Sequence, residues 1–314
     1  MESVTSPELT AIKNLKQITR EEFIAPGTAV CGGCGGLEAL RLAAKVLGDK
    51  TVFVNAAGCF TLLATFPYTP FKSSWLYTSM ASAAAGAQGV RDALDVLMAR
   101  GKMAAENDVQ VVVVAGDGST YDMGLSATSG ALFRGLDFWY FCYDNEAYGN
   151  TGMQMSSATP YGVRTPTTPV DATGHLGTEH GKKDLFEIWR AHRPAYLATV
   201  SPRYPVDLTN KFLKARNLRG PKLFIAHAPC PTGWLYDPEH TAEYARLAVE
   251  TGIFALKEAV DSVVTHTYTP RRRRPVTAYL QGQGRYRHLF EPIADEAAIA
   301  RIQEQVDRYW ATVG

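Results

Sequence analysis

The sequence predicts an α/β fold: a mostly parallel sheet with helices on both faces. Two observations predict it. Short β-branched runs alternate with amphipathic stretches along most of the chain, and several of the runs end in glycine-rich turns. Such alternation marks βαβ units, whose crossovers cover both sheet faces and make the strands read as continuous apolar runs. At 314 residues, 46% hydrophobic and 20% charged, the chain has material for one large domain with a substantial core.

Taken in order, residues 52–55, 109–115, 138–143, 198–201 and 223–226 read as buried strands. Between them, residues 37–47, 83–99, 124–133 and 206–215 carry helical periodicity. The stretch 149–182 is rich in Gly, Thr, Ser and Pro without a period, and a loop of that length in a compact domain suggests function. After about Thr232 the character changes. One helix is expected at 242–251, then the basic run Arg271–Arg274 as a solvated stretch, then a polar tail. This divides the chain into an α/β domain over 1–230 and a C-terminal extension over 231–314, packing on that domain or on partner subunits. There is no internal repeat.

Charge excludes some classes. Lys plus Arg total 32 against 31 Asp plus Glu, a formal charge of +1, which argues against nucleic-acid binding through bulk charge. No apolar run reaches the roughly 18 residues of a membrane helix, and the first residues lack the apolar core of a secretory signal. A cytoplasmic protein is expected. Its five cysteines are then read as chemistry rather than as disulfides.

Cys31-Gly-Gly-Cys34 opens a turn before a helix, Cys59 follows a strand, and so does Cys230. A Cys-x-x-Cys pair lets two thiolates converge on one site, and soft thiolates select zinc or an iron–sulfur cluster. One close pair with two distant singles leaves both open. Cys142, inside an apolar run, reads as core.

The strand 111–115 runs into Gly116-Asp117-Gly118-Ser119. Glycines there let the backbone approach a phosphate, and the next helix offers its N–H groups. Asp117 would hold a bridging divalent cation, since a bare carboxylate repels a diphosphate; magnesium prefers such oxygen ligands. A second strand ends at Asp144-Asn145, which offers an amide oxygen. A dinucleotide fingerprint fits less well, because Tyr121 stands where G-x-G-x-x-G needs glycine.

These residues resemble a family. Gly116-Asp117-Gly118 with Asn145 looks like the thiamine diphosphate signature. Residues 143–152 and Ala158-Thr-Pro160, with the cysteine segments 31–35, 55–59 and 228–234, are similar to the β subunit of the 2-oxoacid:ferredoxin oxidoreductases. Within that family they are closest to the pyruvate synthase and oxalate oxidoreductase branch. Further likeness at 69–72, 246–252 and 282–288 extends it over about residues 25–290.

The resemblance implies the diphosphate-binding half of a thiamine diphosphate fold. Cys31, Cys34, Cys59 and Cys230 would hold one 4Fe–4S cluster, with Cys59 beside the thiamine. Asp117, the Asn145 side chain and the Ala147 carbonyl would hold Mg2+. Gly116, Gly118 and Ser119 would contact the diphosphate, and Asn150 would act at its reactive end. The implied activity is oxidative decarboxylation of a small 2-oxo acid, with electrons passing to an external ferredoxin. An α-type subunit would supply the pyrimidine-binding half, and a ferredoxin-like subunit further clusters. Pyruvate-type relatives commonly carry Phe-Glu-Asn-Ala where this chain has Met80-Ala81-Ser82-Ala83, and a larger residue at Gly149. Loss of that carboxylate at Ala81 tips the expected substrate to oxalate, with pyruvate as the alternative. A non-redox thiamine enzyme and a zinc-binding α/β module are the remoter readings.

Overall fold

The computed structural model describes residues 11–171 and 176–313. The elements begin with α1 (Gly35–Leu47), β1 (Thr51–Ala56), β2 (Ser74–Thr78), α2 (Ala83–Ala99) and β3 (Gln110–Gly116). The middle of the chain forms α3 (Leu125–Phe133), β4 (Trp139–Asp144), α4 (Leu185–Arg190), β5 (Tyr196–Val200), α5 (Pro205–Arg216) and β6 (Lys222–His227). Last come α6 (Pro231–Trp234), α7 (Thr241–Glu250), β7 (Leu256–Val260), β8 (Val263–Tyr268), α8 (Thr277–Leu280) and α9 (Glu296–Ala311). One eight-stranded sheet orders them β2-β1-β3-β4-β6-β5-β7-β8. The first six are parallel; β7 and β8 join antiparallel.

Why the central strands read as unbroken apolar runs is plain from their two faces. Val112 and Val114 of β3 and Phe141 of β4 point into one core, with Leu40 of α1 and Phe212 of α5. Val111, Val113, Tyr140 and Cys142 point into the other, with Ala87 of α2 and Trp189 of α4. Period-two alternation sends successive side chains to opposite faces, and here both faces are covered. Cys142 is fully buried in β4, as its apolar run suggested.

Several features differ from the sequence expectation: β2, β7 and β8 are strands it did not single out, and β7 and β8, within the expected 231–314 extension, join the one sheet. The tail is not merely polar: α9 runs for 16 residues, capped by Asp295, and buries Ala298, Ile302, Val306 and Trp310 on one stripe. That stripe closes a third core with Tyr161 and Val163 from the long irregular stretch and Trp234 from α6. The basic run is also partly engaged. Arg273 lies against Asp307 at 3.6 Å and Arg274 against Glu250 at 3.7 Å, while all four arginines stay exposed. Four residues of the expected loop, 172–175, lie outside the described residues.

No helix among the described residues is long and apolar enough to cross a membrane.

The topology gathers the chemistry. Strands β1, β3, β4 and β6 are consecutive neighbours in the sheet. Their carboxyl ends lead into Cys59, Asp117, Asn145 and Cys230 respectively. Parallel strands lie about 4.8 Å apart, so residues scattered over 170 positions emerge along one edge. Open α/β sheets bind ligands at that edge.

Candidate active site

Asp117 follows the last residue of β3 and opens a wide π-type turn, Gly118–Met123. Turns of this kind displace the helical ladder and recur at functional sites. The Asp117 side chain is fully buried and accepts a hydrogen bond from the Ser156 hydroxyl. Burial, then the neighbouring Asp144 carboxylate, pushes its carboxyl well above the usual range, with Lys182 pulling the other way.

Asn145 directs one end of its side-chain amide at two oxygens at once. That end lies 2.7 Å from Asp117 Oδ1 and 2.8 Å from the Ala147 carbonyl, and as placed it is the amide oxygen, so three acceptors face one another. Turning the amide would satisfy both with hydrogen bonds from Nδ2. A divalent cation among the three oxygens would satisfy them as they stand. Octahedral magnesium with ligands at about 2.0–2.1 Å holds adjacent oxygens about 2.9 Å apart. The donor set fits magnesium in identity and in its two distances from Asn145.

The other end of the same amide, Nδ2, stands 3.9 Å from Cys59 Sγ. Gly149 makes this approach possible: a Cβ there would sit 2.7 Å from Asn145 Nδ2 and 3.1 Å from Cys59 Sγ. At Gly118 a Cβ would fall 2.3 Å from the Tyr148 ring. A cavity of about 100 Å³ opens beside these residues, lined by Cys59, Met80, Gly116, Gly118, Ser119, Asn145, Ala147, Gly149 and Asn150. Asp117 lies buried beneath it, and Asn150 stands exposed at its rim. The Ser119 hydroxyl donates to the Met80 carbonyl, which fixes that wall. Ala81 is exposed and does not line the cavity.

The four cysteines come from three loops: Cys31 and Cys34 from the turn before α1, Cys59 after β1 and Cys230 after β6. Cys34 immediately precedes α1, and the Gly35 amide donates to the Pro229 carbonyl at 3.1 Å, tying that helix start to the Cys230 loop. The Cys34 amide donates to the Cys31 carbonyl, and the Gly233 amide donates to Cys230 Sγ at 3.3 Å. Burial, then the thiols of Cys230, Cys34 and Cys31, pushes Cys59 up to about 12. Cys230 is pushed up to about 11 by burial, with Cys34 and Cys31 adding to it. Burial likewise raises Cys34. These thiols therefore sense one another in a poorly solvated place. All are free. Among the described residues, no three His, Cys, Asp or Glu side chains converge closely enough to hold a single metal ion.

Sequence reasoning missed the layer behind the loop 144–147. Lys182 pairs with Asp144 Oδ2 at 2.6 Å and Glu146 Oε1 at 3.2 Å, and the Tyr121 hydroxyl donates to Asp144 Oδ2 at 2.6 Å. Arg285 donates to Glu146 Oε2 at 2.7 Å, with both side chains buried. Lys182 and Arg285 together hold Glu146 down to about 2, against the upward push of burial. The only sequence signal was position: Asp144 and Glu146 flank Asn145, and Arg285 falls in the 282–288 string.

Comparison with known proteins follows the same lines. The family described as thiamine pyrophosphate enzyme, C-terminal TPP binding domain, matches residues 56–226. Pyruvate synthase subunit PorB of Methanothermobacter thermautotrophicus is 46% identical over 292 residues, 93% of this chain and 97% of that protein. Ketoisovalerate oxidoreductase subunit VorB of Pyrococcus abyssi is 39% identical over 281 residues, 88% of this chain and 89% of that protein. A solved 2-oxoglutarate:ferredoxin oxidoreductase from Magnetococcus marinus shares the fold, with a TM-score of 0.54 at 22% identity over 71% of this chain and 79% of that one. The four neighbouring strand ends, the oxygen set at Asn145 and the extent of these matches make the chain a thiamine diphosphate-binding β subunit of the 2-oxoacid:ferredoxin oxidoreductase family.

Proposed function

We propose that this subunit serves a pyruvate:ferredoxin oxidoreductase, binding thiamine diphosphate through Mg2+ and carrying one 4Fe–4S cluster beside it. The observation that carries the reading is the double engagement of Asn145. One end of its amide faces Asp117 and Ala147, and the other faces Cys59 Sγ. The residues assigned to magnesium and to the cluster would thus meet through one side chain.

Asp117 Oδ1, Asn145 Oδ1 and the Ala147 carbonyl would hold the cation, with Gly116, Gly118 and Ser119 against the diphosphate. Cys31, Cys34, Cys59 and Cys230 would hold the cluster. In a cubane each thiolate binds its own iron, and thiolates drawn from several loops can serve it. When bound, thiamine diphosphate supplies the carbon nucleophile and electron sink for decarboxylation, and the cluster supplies a one-electron acceptor. The chain's own residues set the conditions. Gly149 admits Cys59 to the Asn145 loop, the Ser119 hydroxyl fixes the Met80 wall, and Asn150 at the rim would orient substrate with its amide.

The cavity of about 100 Å³ suits a diphosphate end rather than a whole cofactor. The remainder would lie against an α-type subunit that supplies the pyrimidine-binding half, with a ferredoxin-like subunit and external ferredoxin downstream. Exposed Phe66 (96%) and Tyr68 (81%), beyond the Cys59 turn, are apolar surface suited to such a partner.

Pyruvate replaces the earlier expectation of oxalate. That expectation rested on Ala81, which is exposed and does not line the cavity, and on Gly149, which does. Relatives spanning nearly the whole chain are pyruvate synthase subunits. The test is ferredoxin or dye reduction by the assembled enzyme with pyruvate or oxalate, with and without coenzyme A. Coenzyme A-dependent reduction with pyruvate is expected; reduction with oxalate alone would restore the discarded substrate.

A further inference from the structure

Glu146 lies between the two residues whose oxygens face Asp117, and every polar group it owns is engaged. Its amide donates to Asp144 Oδ1 at 3.2 Å, and its carbonyl accepts from the Thr159 hydroxyl at 2.7 Å. Its carboxylate takes Lys182 on one oxygen and Arg285 on the other. All this holds a residue with φ of 67°, a left-handed conformation that a side chain bearing Cβ disfavours. That reversal turns the Asn145 side chain and the Ala147 carbonyl toward one point.

Arg285 comes from 139 residues away, in the segment after β8. Its guanidinium lies 3.9 Å over the Trp234 ring, and its Nε donates to Gln283 Oε1 at 2.8 Å. Trp234 in turn donates from Nε1 to the Asn145 carbonyl at 2.9 Å, and it stands four residues after Cys230. One fully buried cation therefore grips the loop from both sides: Glu146 directly, Asn145 through Trp234.

We propose that Arg285 is a positioning residue which, by pairing with Glu146 and stacking on Trp234, holds the Asn145–Ala147 loop in its cation-binding shape. Through Trp234 it also ties that loop to the Cys230 turn. The inference rests on the magnesium reading above and gives the C-terminal segment a task in cofactor binding. Removing the guanidinium leaves the Glu146 carboxylate buried beside Lys182 alone, and a buried charge that loses a partner drives local rearrangement.

The test uses the assembled enzyme, stripped of divalent ions and titrated with magnesium chloride. Thiamine diphosphate binding is followed by equilibrium dialysis, with iron and sulfide content measured in parallel. R285M and E146Q are expected to raise the magnesium half-saturation at least tenfold, with thiamine diphosphate binding restored at saturating magnesium. R285K, which keeps the charge but loses the planar stack, should fall between. R91M removes another buried arginine, which pairs with the half-buried Asp108 at 2.8 Å, and should leave the half-saturation unchanged. Should R285M fail to assemble, R285K and E146Q carry the comparison. Half-saturation within twofold of wild type in the Arg285 and Glu146 variants, or an equal rise in R91M, overturns the role of Arg285. Wild-type binding of thiamine diphosphate without any divalent ion instead overturns the magnesium reading, and this inference with it.

Discussion

The Trp234 indole donates to the Asn145 backbone carbonyl at 2.9 Å, joining the turn that begins at Cys230 to the loop whose side chain faces Asp117. Both residues are buried, so water does not compete for the bond. The Cys230 turn and the Asn145–Ala147 loop are therefore joined by a buried bond, and disturbance of either should be felt in the other.

The cysteines give the first prediction. Serine at 31, 34, 59 or 230 should lose most iron and sulfide from anaerobically purified enzyme, whereas Cys142→Ser should keep it. Burial raises Cys34, Cys59 and Cys230, so iron uptake by the stripped chain should release protons and weaken as pH falls. Elemental analysis decides this: full iron in Cys230→Ser with loss in Cys142→Ser would reverse the assignment.

Asp117 and Asn150 should separate binding from turnover. Asp117→Ala removes one oxygen of the proposed cation set and should abolish magnesium-dependent thiamine diphosphate binding, read by dialysis. Asn150→Ala, at the exposed rim, should bind the cofactor within about threefold of wild type yet turn over roughly 10²-fold more slowly, the usual size of a lost positioning contact. Unchanged cofactor affinity in Asp117→Ala would remove magnesium from that residue.

A stability prediction concerns pH. His227 is fully buried between Trp234, Phe254 and Tyr279, and burial holds its pKa down to about 3. The unfolded chain binds a proton near 6.5 that the folded chain refuses until about 3. The neutral imidazole's contribution is therefore complete above 6.5 and is lost as pH falls toward 3. Its full size is on the order of a few kcal/mol. Urea denaturation of wild type and His227→Phe across this window should show the difference shrinking or reversing with acid; parallel curves would contradict it.

Trp310 anchors α9. It is 5% exposed, and its Nε1 donates to the Gly252 carbonyl at 2.9 Å. Trp310→Ala should cost about 3–5 kcal/mol by opening a cavity in the third core, measurable as a lowered urea midpoint. A change under about 1 kcal/mol would mean that α9 is not part of the cooperative unit.

How much of this was legible in the sequence follows from what each residue depends on. The central strands were readable because burial on both faces makes them apolar throughout, as at Val111 to Val114. The site was readable because Cys59, Asp117, Asn145 and Cys230 each follow such a strand. The short edge strand β2 and the antiparallel pair β7 and β8 were not singled out. β2 and β8 are largely exposed, and the Leu256–Val260 run carries Lys257 and Glu258. The α9 stripe was present at Ala298, Ile302, Val306 and Trp310, but polar residues between them outnumber it. The Glu146–Arg285 pairing could not be read beyond the position of each residue in its motif, since only the fold brings the two together.

The most direct measurement is anaerobic mixing of the assembled, thiamine diphosphate-loaded enzyme with pyruvate while following the visible thiolate–iron absorption. The account predicts that pyruvate bleaches it, that coenzyme A accelerates the bleaching, that Asn150→Ala slows it and that Asp117→Ala prevents it. Absorption that pyruvate leaves unchanged in the loaded wild-type enzyme would contradict the claim that thiamine chemistry and a Cys59-held cluster share this site.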